Sequence, residues 1–176
     1  MDEKEFKNIS VKGRVAYGIR CLEQTLIYYN CSLENWKWII EKIWGYTSVV
    51  YLDDWFYEIA EFMPDSILDD KDCYPEDCEY LSEEQFYRLV RTYSEDSNPV
   101  INRIIRLIFE MGTSDLYSKL EGCAQNSLDC LNKIMCIMVQ ENIELPSSTP
   151  FSNYSYKENN GWGESFDGKK SSLILT

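Results

Sequence analysis

The sequence predicts an all-α fold, an irregular bundle of about six or seven helices with an extended C-terminal arm. Three observations lead there. Apolar residues recur at spacings of three and four up to position 145, which stacks them on helical faces. Start signals stand just before two of these stripes: Ser82 with Gln85 three residues on, and Asn98 followed by Pro99. Beyond Pro146 the composition turns to Ser, Asn, Gly and Tyr.

Val15, Ile19, Leu22 and Leu26 make one face of a helix over 11–30, widened by Cys21, Tyr28 and Tyr29. A second helix, 32–46, takes Ser32 as its cap, carries Leu33, Trp36, Ile40, Ile43 and Trp44, and ends at Gly45. A third runs from 53 or 54 to 62 with Trp55, Phe56 and Ile59 inward and Pro64 as its stop. Asp53 and Asp54 sit where carboxylates favour a helix start. Residues 64–80 show no clean period and read as an acidic loop. Ser82 then opens a helix that buries Phe86, Leu89, Val90 and Tyr93. Segment 99–111, with Ile101, Ile104, Ile105 and Ile108, is apolar nearly all round and is expected at the centre, ended by Gly112. A short helix runs from Thr113 or Ser114 to about Glu121, and a long one over 125–141 buries Leu128, Leu131, Met135 and Met138. The core is expected to include Ile19, Leu22, Trp36, Ile40, Phe86, Ile104, Ile108, Leu131 and Met135.

A chain of 176 residues fits one domain, here a bundle over 1–145 with the arm 146–176 packed on it. In the arm, Gly161 and Gly163 flank Trp162 and allow a turn that lays its ring on the bundle, with looser chain at 147–149. The opening MDEKEFKNIS is charged and lacks the apolar centre of a signal peptide. No apolar run reaches the ~20 residues of a membrane span. With the odd count of seven cysteines, these features point to reduced thiols and a cytoplasmic location.

Histidine is absent, which removes the commonest general base and the commonest zinc ligand. Cys73 and Cys78 lack the two further ligands that a metal would need. The acidic stretch from Asp69 fails as a calcium loop, because its sixth and twelfth positions are Tyr74 and Tyr80 in place of Gly and Glu. Gly161-Trp162-Gly163 is too short for a phosphate loop and follows no strand. Arg14 and Arg20 are expected to pair with local carboxylates. The sequence therefore assigns no catalytic, cofactor-binding or metal-ligating residue, and a binding protein is expected rather than an enzyme.

A net charge of −13 repels phosphate and disfavours nucleic acid and anionic membranes as partners. It favours a basic protein. Between positions 65 and 84 nine acidic residues face Lys71 alone, a density that solubility explains poorly. Asp69, Asp70, Asp72, Tyr74, Glu76, Asp77, Glu79 and Tyr80 are the candidate partner-binding residues, with the carboxylates steering encounter and the tyrosines as anchors.

The helix start Arg14-Val15-Ala16-Tyr17-Gly18-Ile19-Arg20-Cys21-Leu22-Glu23 resembles small helical immunity proteins of bacterial polymorphic toxin systems. So do the tryptophan-bearing second helix, Tyr51-Leu52-Asp53-Asp54-Trp55, and the tail from Gly161-Trp162-Gly163 to Gly168. The resemblance implies a protein that binds and neutralises a cognate secreted toxin domain, often a nuclease, by blocking its active site or substrate groove. It carries over no catalytic or binding residue. Two other classes stand beside it: an acidic binding module or nucleic-acid mimic for another basic protein, and a carboxylate-dependent enzyme.

Overall fold

The computed structural model describes residues 3–68 and 74–175. Eight α-helical segments lie among them: α1 (Glu3–Phe6), α2 (Val11–Tyr28), α3 (Leu33–Trp44), α4 (Leu52–Ala60), α5 (Pro64–Leu68), α6 (Glu83–Glu95), α7 (Pro99–Thr113) and α8 (Gln125–Gln140). No β-strand occurs among the described residues; the only pairing there is an isolated antiparallel bridge between Ile9 and Ser155. The fold is an all-α bundle, as the periodicity predicts.

Its centre is the mutual packing of α2, α7 and α8. Ile19, Leu22, Trp36, Ile40, Phe86, Ile104, Ile108, Leu131 and Met135 are all buried. Each large aliphatic removed from water in this way stabilises the fold by about 1.5–3 kcal/mol. The most enclosed helix is α2, in contrast to the expectation for α7: Val11 to Ile19 are buried without a break, whereas α7 exposes Arg103, Arg106 and Glu110. Close approach explains the difference. A Cβ at Gly13 would come within 2.9 Å of the Tyr154 Cβ, and one at Gly18 within 3.0 Å of the Met111 Cε. Small residues on α2 let neighbours reach its backbone from several sides.

The cap signals hold at two sites. Ser82 and Gln85 form a reciprocal capping box on α6. Asn98 accepts from the Val100 and Ile101 amides at the start of α7. Ser10, unassigned from sequence, caps α2 through the Gly13 amide. Other signals act differently. Ser32 precedes α3, but its hydroxyl caps nothing; its amide donates to Asp96. The cap position of α4 is Tyr51, and Asp53 and Asp54 lie inside the first turn, where they favour the helix dipole. Gly45 keeps right-handed geometry and leads into a 3-10 turn, Gly45–Thr47.

Five expectations are corrected. The 64–80 region contains α5 and a 3-10 turn, Pro75–Asp77, because proline at a first helical position starts a helix as readily as it stops one. Gly112 does not end α7; it lies within the helix, where a Cβ would meet the Tyr46 ring at 2.8 Å. Segment 114–121 forms turns, not a helix. The arm is not extended but coils through three 3-10 turns: Thr149–Phe151, Asn159–Gly161 and Gly168–Ser171. Ser148, in the stretch expected to be loose, is buried and bonds Glu5 at 2.6 Å.

Two fully buried charges on α2 organise the chain around it. Among the described residues Arg14 meets no carboxylate, contrary to expectation. Its guanidinium donates to the carbonyls of Phe6, Lys7, Cys123 and Ala124 and to the Ser127 hydroxyl, and it lies 5.2 Å from the centre of the Tyr156 ring. Glu23 accepts from the Trp44 indole at 2.9 Å, from the Leu173 amide at 2.7 Å and from the Ser172 hydroxyl. Arg20 donates to the Ser171 carbonyl beside it.

Candidate functional site

The site starts from the outward face of α4. Trp55 and Ile59 are buried on one side, so the residues between and beside them point away from the core. Asp53, Asp54 and Tyr57 are exposed there, and Tyr57 keeps half of its surface in water. The Tyr57 phenol lies beside that of Tyr117, which extends from the connection between α7 and α8. The neighbouring Tyr57 phenol first, then partial cover and the nearby Asp53 carboxylate, raise the Tyr117 phenol above its usual range.

Glu61, just past α4, joins this face to the acidic segment. Its two carboxylate oxygens accept the Glu79 and Tyr80 amides at 2.7 and 2.9 Å. Tyr80 is thereby held near Tyr57. Partial cover and then the carboxylates of Glu79, Glu61 and Asp54 raise its phenol. The result is a row of exposed phenols, Tyr117, Tyr57 and Tyr80, set among carboxylates.

The predicted site residues divide into three groups. Asp69, Asp70 and Asp72 lie outside the described residues. Tyr74, Glu76 and Asp77 are exposed on the 3-10 turn that packs toward α6, where the Asp77 carboxylate accepts the Tyr74 amide at 3.3 Å. Glu79 and Tyr80 are exposed and belong to the α4 face. Asp65 pairs with Arg106 of α7 and is not part of it.

Sequence reasoning missed Tyr57, Tyr117 and the exposed pair Val50 and Tyr51. One signal could have found Tyr57. Asp53, Asp54, Tyr57 and Glu61 recur at helical spacing opposite Trp55 and Ile59, so an aromatic sits on a polar face. Tyr117 gives no such signal, because only the fold brings it to α4.

Beside this face lies a groove of about 410 Å³, walled by Val50, Tyr51, Leu52 and Asp53 on one side and by Asn159, Trp162, Glu164 and Ser165 of the tail on the other. Leu116 and, from α2, Lys12 also line it. The Lys12 ammonium donates to the Val49 carbonyl at 2.9 Å and the Ser165 hydroxyl at 2.7 Å. Burial lowers its pKa, and the Glu164 charge opposes that shift.

Among the described residues no cluster of three or more Cys, Asp or Glu side chains could hold a metal ion, and no helix is long and apolar enough to cross a membrane. No family model matches the chain, and no match was found among curated proteins or solved structures. What the arrangement offers chemically is a contact surface: rigid phenols with one polar end each, ringed by negative charge.

Proposed function

We propose that this chain is an immunity protein that binds a secreted toxin domain, in keeping with the resemblance of its α2, Trp55 and Trp162 segments to that class. The observation that carries the reading is the α4 face, where Tyr57, Tyr80 and Tyr117 stand exposed among Asp53, Asp54, Glu61 and Glu79. Tyrosine supplies large contact area at little entropic cost, and it is over-represented among residues that dominate binding energy. The carboxylates attract a basic partner and repel nucleic acid. A nuclease domain has the required basic groove, and occlusion of that groove would neutralise it.

The test is co-expression with the product of the neighbouring gene, scored by growth and by co-purification. Protection by the wild-type chain, lost in a Tyr57→Ala, Tyr117→Ala variant of unchanged folding stability, is the expected result. A toxic neighbour that this chain neither binds nor restrains would overturn the reading. A stable complex without protection would favour an acidic module for another basic protein.

A further inference from the structure

We infer that the groove beside α4 is a socket for an arginine side chain of the partner protein. The inference rests on the binding role proposed above and gives it a specific anchor.

Three observations point to an arginine. Val50 and Tyr51 are 78% and 72% exposed, an apolar and aromatic pair left uncovered among the described residues. Half-buried Trp162 lines the same groove. A planar guanidinium stacks on aromatic faces of this kind better than a compact, strongly hydrated ammonium does. At the rim, Asp53 and Glu164 are both exposed and carry two negative charges. Lys12, the one cation among the described residues that line the groove, keeps its charge while donating to Val49 and Ser165, so two carboxylates against one ammonium leave the local balance negative.

The walls are held in place before any ligand arrives. The Trp162 carbonyl accepts the Lys12 amide at 3.0 Å. Gly163 has φ +86°, and a Cβ there would collide with Ser10. Tyr154 and Phe166 stack at 3.7 Å behind the turn, and the Phe166 amide donates to the Thr47 carbonyl at 2.9 Å. A socket fixed in this way loses little entropy on binding. It also adjoins the phenol row, because Asp53 lines the groove and lies close to Tyr117, so one partner surface could engage both.

The experiment titrates the folded chain with N-acetyl-arginine amide and, separately, with the neutral isostere N-acetyl-citrulline amide, into the millimolar range. Indole and backbone amide NMR signals are followed. The expected result is a saturable shift of the Trp162 indole and Asn159 side-chain signals with the arginine probe. It should fall at least threefold in apparent affinity in Asp53→Asn, Glu164→Gln and be absent with citrulline. No shift at these signals, or equal shifts with both probes, would overturn the socket. The toxin assay reads independently of this titration. Failure of the arginine probe with intact protection removes only the socket. Arginine binding without any neighbour-specific protection removes the immunity reading and leaves the socket standing.

Discussion

The two ends of α2 bury opposite charges by opposite means. Near its start, Arg14 is enclosed by four backbone carbonyls and one hydroxyl. About two and a half turns on, Glu23 is enclosed by an indole N–H, a hydroxyl and an amide. Among the described residues neither meets a group of opposite charge within hydrogen-bond reach. Burial acts against ionisation at both, yet the outcomes differ. The Arg14 pKa falls only to about 10, with loss of water as the main cause, so the cation persists at neutral pH. The Glu23 pKa is raised by burial against the pull of its three donors, so its charge depends on pH. The contrast teaches that an enclosed arginine has to be satisfied as a cation, whereas an enclosed glutamate can also take up a proton.

The strongest way to break the comparison is Arg14→Ala. It would orphan several buried carbonyls and leave a large void, and a loss of about 3–5 kcal/mol in urea unfolding is expected. Arg14→Lys should recover less than half of that, since a single ammonium cannot serve Phe6 and Ala124 together. A yardstick without charge is Ile104→Ala, fully buried in α7, with an expected cost of about 2–5 kcal/mol. If Arg14→Ala cost less than this apolar truncation, the guanidinium cage would be incidental to stability.

Glu23→Gln sharpens the other half. It keeps the shape and removes the charge, so a change of about 1 kcal/mol is expected at neutral pH. The sign of its pH dependence follows from the raised pKa. A carboxyl that holds its proton more tightly when folded stabilises the native state at pH below its ordinary value of 4.5, and that contribution is lost as pH rises through the folded pKa. Relative to Glu23→Gln, the wild type should therefore gain stability as pH falls through this window. Unfolding curves of the two proteins at several pH values check it, and a parallel pH profile would show that Glu23 does not titrate differently on folding. The smallest effect belongs to the surface: Tyr57→Ala should move stability by no more than about 0.5 kcal/mol while weakening partner binding.

Much of this architecture was legible in sequence. The stripes of α2, α3, α6, α7 and α8 located the core, because a 3.6-residue period survives any tertiary arrangement. The capping box at Ser82 and the Asn98-Pro99 start were equally readable, being local chemistry. The charges on α2 were not. Periodicity treats a charged residue as a mark of the solvent face, so Lys12, Arg14 and Glu23 disguised the most enclosed helix of the bundle. Their burial depends on acceptors and donors up to 153 positions away. The phenol row and the groove were hidden in the same way. Charge density drew attention to 65–84, but the phenol row takes Tyr117 from one connection and Tyr57 from α4, and the groove joins residues 50–53 to 159–165. Juxtapositions of that kind have no local signature.

The ties between α2 and the tail also bear on how fast the chain can acquire its final form. Ser148 bonds Glu5, the Tyr156 amide bonds the Asn8 carbonyl, and the Leu173 amide bonds Glu23, at sequence separations of up to 150 residues. During synthesis α2 and α3 leave the ribosome long before residues 146–175 exist. Until then Glu23 and the Trp44 indole lack the Ser172 and Leu173 groups that enclose them. Loops of this length close slowly because chain entropy is lost before contacts reward it, although each doubling of loop length adds only about 0.6 kcal/mol. The tail is thus the last part to dock, and the groove it walls is the last part of the surface to mature. A nascent chain would carry its α4 phenols well before it carries the Trp162 wall. Any partner met during translation would find only half of the binding surface.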